Sequence, residues 1–258
     1  MKMTIGRRII HLDEVTSTND VAKRHAKDGE TEGLVVVARR QTHGRGRQGK
    51  EWVSPEGGLY LSVLLRPSLD PKELTRLTVY SAVPVAMAIE KVTGLRTELK
   101  WPNDIQIDGR KIAGLLVEGS SQRGKIAYVV LGIGINVNAE AKDLGVEGAS
   151  SLSEETGQTI DQKQLLDEVL RELRSHYEQF LKSEYPEDEY VRRSSILGHQ
   201  IEAVVGREVL RGKALYLAPD GALVIKSEEG LVLRLAWVND TSIRATDVVK
   251  NIDHPTKD

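Results

Sequence analysis

The 258-residue chain has no cysteine. That excludes a disulfide framework, a thiolate nucleophile and any Cys-ligated metal, and it fits a reducing compartment. No stretch is long and apolar enough to span a bilayer. The opening segment carries Lys2, Arg7 and Arg8 but lacks the apolar run of a signal peptide. Neither sign of charge dominates: 36 Lys and Arg face 38 Asp and Glu, for a net charge of −2. Bulk attraction to nucleic acid or to an anionic membrane is therefore not implied, and any anion binding must come from local clusters. Aromatic residues are few, at 4%. The length suits one large domain plus a small one. The expected site of action is the cytoplasm.

What the chain does have is an unusual loop, Gln41-Thr42-His43-Gly44-Arg45-Gly46-Arg47-Gln48-Gly49-Lys50-Glu51-Trp52, between strand-like runs at Leu34 to Arg39 and Leu59 to Leu65. Glycines alternate with cations, and no apolar residue appears before Trp52. Glycine lets the backbone approach a ligand closely, and arginine offers a planar fork of donors suited to phosphate. The segment reads as a mobile anion-binding loop that orders over its ligand. Glycine and charge alone would equally describe a solvated surface loop. Trp52 is either a core anchor or a face on which a flat ring stacks.

Upstream, Arg8 to Leu12 predicts a strand, and Ser17-Thr18-Asn19 opens a helix ending near Gly29. Ser17 or Thr18 suits the N-cap. Hydroxyls and an amide at a helix start also suit a small polar ligand. Downstream, Asp70-Pro71-Lys72-Glu73 predicts the start of a long helix by a capping box, with Gly94 ending it. Pro84 inside that pattern predicts a bend or a break. Lys100-Trp101-Pro102-Asn103-Asp104 ends a strand. Ile105 to Ile107 and Lys111 to Glu118 then read as strands joined by a hairpin turn at Asp108-Gly109-Arg110. The second run is too apolar for an exposed edge, so Lys111 is expected to point into a site, where it could neutralise a carboxylate and a phosphate together. Gly132-x-Gly134 starts like a dinucleotide fingerprint. No third glycine or immediate helix follows, so a Rossmann site is rejected. The glycines instead let a strand pass close to a ligand. Asn136 and Asn138 suit polar atoms, a hydrated metal or simply a turn.

A short helix is expected near Ser151 to Thr156, then one capped by Asp161 running to Leu181, then one from about Glu187 to Ser194. After Gly198 come five short strand candidates, 201–205, 208–217, 222–226, 231–235 and 241–244, a pattern that predicts a small barrel. The expected division is residues 1–197 and 198–258. The tail after Asn251 is expected to be loose.

Taken in order, Ser17-Thr18-Asn19, Gln41, Gly44-Arg45-Gly46-Arg47-x-Gly49 with Trp52, Lys100-Trp101-Pro102-Asn103-Asp104, Lys111-Ile112-Ala113-Gly114-Leu115-Leu116-Val117-Glu118 and Gly132-Ile133-Gly134-Ile135-Asn136 resemble the biotin protein ligases along nearly the whole chain. The resemblance implies an α+β fold: a mixed β-sheet with flanking helices, like that of class II aminoacyl-tRNA synthetases, followed by an SH3-like barrel. It implies ATP-dependent, Mg²⁺-dependent activation of biotin to biotinyl-5′-AMP and transfer to a lysine of a biotin carboxyl carrier protein. The chain starts directly at the catalytic domain, with no room for a winged helix-turn-helix, which implies a ligase without repressor activity. By the same resemblance, Ser17, Thr18, Asn19 and Gln41 hold the ring end of biotin, with Gly44, Lys111 and Gly114 also on the biotin side. Arg45, Gly46 and Arg47 form the closing loop, and Lys111 contacts the carboxylate and α-phosphate. Trp52 covers the adenylate, Asn103 and Asn136 lie near adenine, phosphate or metal, and Asp104 receives or orients the acceptor lysine. Metal ligands are not legible. Family members are monomers or homodimers, so a homodimer stays open. A lipoate–protein ligase shares this logic but matches the arginine loop less well. A nucleic-acid-binding module would need more positive charge than the chain has.

Overall fold

The structure, a computed structural model, describes residues 5–70, 73–122, 124–205, 207–235 and 241–246. Its larger sheet has seven strands: β1 (Arg8–Val15), β2 (Leu34–Gln41), β3 (Leu59–Leu65), β4 (Glu98–Lys100), β5 (Asp104–Ile107), β6 (Arg110–Gln122) and β7 (Lys125–Ile135). Their order is β1-β2-β3-β7-β6-β5-β4. β1 and β2 are parallel, as a crossover helix requires, and that helix is α1 (Thr18–Lys27). The other pairs are antiparallel, so the sheet is mixed.

Successive residues of a strand point to opposite faces. Accordingly Leu34 and Val36 pack with Ala22 and Ala26 of α1. Val35 and Val37 join the main core with α2 (Leu74–Thr93) and α4 (Gln162–Leu181). The sheet is thus covered on both faces, which explains why β2 and β3 read as continuous apolar runs.

Local chemistry fixes most boundaries. Asp161 caps α4, accepting from the Lys163 and Gln164 amides. Ser151 and Glu154 form a reciprocal capping box on α3 (Leu152–Thr156). Gly94 ends α2 at φ 74°. Asp108 and Gly109, at φ 48° and 74°, make the two-residue turn between β5 and β6. Two expectations need correction. Pro84 does not interrupt α2, which runs unbroken from Leu74 to Thr93. The proline removes one helical hydrogen bond, but α2 residues 77–86 are all buried, and that packing holds the helix together. The helix also starts later than Asp70. A turn closed by the Glu73 amide on the Asp70 carbonyl precedes it, and Glu73 Oε2 still accepts from the Asp70 amide at 3.0 Å. Pro71 and Lys72, like the tail after Asn251, lie outside the described residues.

After α5 (Glu187–Arg193), strands β8 (Gln200–Val205), β9 (Glu208–Leu217), β10 (Leu223–Ser227), β11 (Val232–Leu235) and β12 (Thr241–Ala245) form an antiparallel sheet in the order β11-β10-β9-β8-β12. The two sheets meet at buried Trp101, whose indole N–H donates to the Gly221 carbonyl at 2.9 Å. Among the described residues no helix is long and apolar enough to cross a membrane.

Candidate active site

The start of α1, the loop after β2, the β4–β5 turn, the glycine-bearing stretches of β6 and β7 and the 144–149 segment converge on a cleft of about 470 Å³. Each arrives there for a local reason. β1 delivers the chain to α1, and the next residues of the loop return to it: the Thr42 and His43 amides donate to the Val15 and Thr16 carbonyls. Asp104 and Lys111 meet diagonally across β5 and β6, where Asp104 pairs with Gly114 and Gln106 with Lys111 around a register shift at Ile105–Gln106.

One end of the cleft is polar and uncharged. Gln41 Oε1 accepts from the Thr18 amide at 2.8 Å and lies 3.1 Å from its hydroxyl. Gln41 Nε2 donates to Ser54 Oγ at 2.9 Å, and Ser54 donates to the Trp52 carbonyl at 2.9 Å. Fully buried Ser62 places its hydroxyl 2.7 Å from Thr18 Oγ1 and 2.5 Å from Asn19 Oδ1. Buried polar groups persist when they are satisfied in this way. Ser17 sits at the N-cap position of α1 and lines the cleft, yet its side chain makes no capping bond. Ser17 is thus the N-cap residue, as expected, but it starts the helix through its backbone carbonyl, which accepts from the Asp20 and Val21 amides.

The other end is cationic. Arg45 grips Asp20 through two bonds of 2.7 and 2.6 Å and reaches Glu118 at 3.4 Å. The hydrogen bond to Asp20 holds the Arg45 guanidinium above its usual pKa, and the same contact holds the Asp20 carboxyl below its own. Burial pushes the Arg47 guanidinium down to about 10, opposed by the charge of Asp104. Arg47 Nη1 points at Asn103 Oδ1, 3.5 Å away. Lys111 Nζ lies 2.7 Å from Asp104 Oδ1 and 5.1 Å from the centre of the Trp52 ring. Lys111 thus does point into the cleft. The arginine loop itself is a hydrogen-bonded hairpin, with Gly46 donating to the Lys50 carbonyl at 2.7 Å and Trp52 to that of Gly44 at 2.9 Å.

The Trp52 indole lies across the strand glycines. A Cβ on Gly114 would stand 2.9 Å from it, and one on Gly134 would stand 2.5 Å from its nitrogen. Those two glycines therefore shape a slot for a flat ring. Asn103 is fixed by its own donation to the Leu115 carbonyl at 2.8 Å, and Asn136 by donation to that of Ser150 at 3.0 Å. Asn138 bonds Ile160 in both directions and serves the turn. Gly44 packs behind the loop, where a Cβ would meet the Trp52 carbonyl at 2.3 Å, and it does not line the cleft.

Sequence reasoning brought together Ser17, Thr18, Asn19, Gln41, Arg45, Gly46, Arg47, Trp52, Asn103, Asp104, Lys111, Gly114 and Asn136, and all of these line one cleft. It missed Asp20, Ser62 and the pairing of Glu118. A serine inside the otherwise apolar run Leu59 to Leu65 and a carboxylate closing an apolar strand were the available signals. It also missed Ile243, which reaches the cleft from β12.

The cleft thus sets a neutral polar pocket beside Arg45, Arg47 and Lys111. The comparisons identify the lineage. Residues 12–136 match the biotin/lipoate A/B protein ligase family. The chain is 34% identical over 233 residues to the bifunctional ligase/repressor BirA of Bacillus spizizenii, covering 88% of this chain and 72% of that one. It is 30% identical over 227 residues to the biotin–[acetyl-CoA-carboxylase] ligase of Paracoccus denitrificans, covering 85% and 94%. The biotin protein ligase from Aquifex aeolicus, solved in complex with biotin and ATP, superposes with a TM-score of 0.77 at 32% identity, covering 93% of this chain and all of that one. The chain belongs to the biotin/lipoate A/B protein ligase family, on its biotin protein ligase side.

Proposed function

We propose that this protein is an ATP-dependent biotin–protein ligase that acts on a lysine of a biotin carboxyl carrier domain. The observation that carries the reading is the juxtaposition, in one cleft, of the uncharged Thr18–Gln41–Ser62 network with Arg45, Arg47 and Lys111.

The reaction has two steps. A carboxylate oxygen of biotin attacks the α-phosphorus of ATP. The bond to the bridging oxygen breaks, pyrophosphate leaves, and biotinyl-5′-AMP forms. The carrier lysine, as a free amine, then attacks the acyl carbon. AMP leaves, and the amine loses a proton. The first step brings a carboxylate against a triphosphate, so repulsion must be cancelled by fixed cations. Lys111 bridges the carboxylate and the α-phosphate, and Arg45 and Arg47 close the loop over the phosphate side. Ser17, Thr18, Asn19 and Gln41 hold the biotin ring by neutral hydrogen bonds, with Gly46 and Gly114 leaving room for the chain. Trp52 covers the adenylate and excludes water from a labile anhydride. Asn103 and Asn136 border the nucleotide. Asp104, which pairs with Lys111, receives or orients the incoming lysine. Among the described residues no three His, Cys, Asp or Glu gather into a metal cage. Mg²⁺ would enter with ATP and offset the charge of its phosphates.

The same proposal treats residues 1–197 as the catalytic domain and 198–258 as an SH3-like domain that braces the cleft through Trp101 and Ile243. It sets the reaction in the cytoplasm and requires no nucleic acid. A homodimer through an open edge of the larger sheet is compatible with it. Pyrophosphate exchange into ATP, run without carrier and with biotin or lipoate as the acid, tests the reading. Exchange with biotin alone is expected. Exchange with lipoate alone would keep the chemistry and overturn the substrate.

A further inference from the structure

One carboxylate outside the cleft organises its polar end. Glu118, in the second half of β6, does not line the cavity. Its Oε2 accepts from Asn19 Nδ2 at 2.6 Å, and its Oε1 pairs with Lys23. Burial raises the Glu118 pKa, but the hydrogen bonds from Lys23 and Asn19 and the charges of Lys23 and Arg45 outweigh it, so the carboxyl stays below its usual value and ionised.

An ionised carboxylate only accepts hydrogen bonds. Asn19 must therefore face it with its NH₂ group, and the amide carbonyl turns the other way, toward Ser62 and the Gly132 wall of the cleft. Asn19 is only 4% exposed, and turning its amide over would set its carbonyl against the Glu118 carboxylate with no water to relieve it. Its Oδ1 lies where a Cβ on Gly132 would stand, 2.4 Å away. The Ser62 hydroxyl occupies one acceptor direction at 2.5 Å. The other is left for a donor in the cleft. A cyclic urea carries N–H donors, whereas a dithiolane ring has none.

We infer that Glu118 is a positioning residue for acid selection: it locks Asn19 as a hydrogen-bond acceptor toward the cleft, so that rings bearing N–H groups are preferred. The inference rests on reading the polar end as the biotin-ring pocket. A donor–acceptor swap tests it. In Glu118→Gln one oxygen remains where Asn19 and Lys23 each engaged one; the charge of Lys23 draws that oxygen, and the new NH₂ group turns toward Asn19. Arg45 keeps both bonds to Asp20. The KM for biotin in pyrophosphate exchange is expected to rise about tenfold, the loss of one well-oriented hydrogen bond, with the KM for ATP unchanged. Asn19→Asp alone sets two carboxylates face to face and is expected to be worse. Asn19→Asp combined with Glu118→Gln restores the contact with its polarity reversed. The Gln side chain now donates, and an oxygen still faces the cleft, so the KM for biotin is expected to return toward the wild-type value. Failure of the double variant to recover, or a parallel rise of both KM values, would overturn the inference and leave Glu118 a structural residue. Exchange by the wild type with lipoate but not biotin would sink the ring-pocket reading and this inference with it. Wild-type exchange with biotin and no coupling between the two positions would sink the inference alone.

Discussion

Replacing Lys111 with alanine separates the chemistry from the fold. Lys111 Nζ sits 2.7 Å from Asp104, and the two side chains are 29% and 24% exposed. A pair that wet contributes little to stability, about 0–1 kcal/mol. The stem of Lys111 adds packing against Gly114, whose Cβ position is 3.5 Å from Lys111 Cε. A total loss of about 1 kcal/mol corresponds to roughly 2–4 °C in melting temperature for a chain of this size. The chemical loss is larger. Removing one fixed donor from a site of developing charge typically costs about 10²–10³ in rate, or about 2.7–4 kcal/mol. Lys111→Ala is therefore expected to melt within a few degrees of the wild type while pyrophosphate exchange falls at least a hundredfold by that same measure. Exchange kinetics and calorimetric melting on the same preparation check it. A collapse of the melt would make Lys111 a structural residue. An exchange rate near the wild-type value would remove it from the chemistry altogether.

Arg45→Ala loses both bonds to Asp20 on a one-third-exposed side chain, so slower adenylate formation is expected with only a small change in melting temperature. Single-turnover formation of biotinyl-5′-AMP reports it, and a melt that collapsed would contradict it. Gly134→Ala places a methyl group 2.5 Å from the Trp52 indole nitrogen, so the ring must leave its slot. The KM for ATP is expected to rise more than that for biotin, and equal rises would refute the slot. Trp101→Phe strips the buried Gly221 carbonyl of its donor, at a cost of about 1–3 kcal/mol measurable by denaturant unfolding. Glu118 is held below the 4.5 of an unfolded glutamate, so its ionised form stabilises the fold above that pH. That contribution disappears as the pH falls through the lower folded value. The gap in melting temperature between wild type and Glu118→Gln should thus be constant near neutrality and close below about pH 4.5; a gap that widened in acid would refute the assignment.

Local signals in the sequence reached far because most of this fold is locally encoded. Asp161, the Ser151–Glu154 box, Gly94 and the Asp108-Gly109 turn each act within a few residues, and each sits where its chemistry requires. Pro84 misled for the opposite reason. Its penalty is local and visible, while the burial of α2 that offsets it depends on α4, some eighty positions along the chain. The same limit applied at the site. Gly132 and Gly134 were read as places of close approach, but what approaches them, the Asn19 amide and the Trp52 ring, comes from distant segments.

The polar pairings show why that limit falls hardest on function. Asp20, Glu118 and Ser62 look unremarkable where they stand in the sequence, as a helix-start acid, a strand-end acid and a serine in an apolar run. Their meaning comes from cross-chain contacts: Asp20 to Arg45, Glu118 to Asn19, Ser62 to Thr18 and Asn19. Each joins an element of the sheet or the loop to the first turn of α1. That turn is therefore the hinge of the site's chemistry. Thr18 and Asn19 line the polar end of the cleft, and Asp20, the next residue, holds the arginine loop. Consecutive residues on a helix are splayed about 100° apart, so one turn can serve both ends of the cleft at once. The arginine loop is thus seated, through Arg45 and Asp20, on the same helical turn whose Thr18 and Asn19 line the polar end of the cleft.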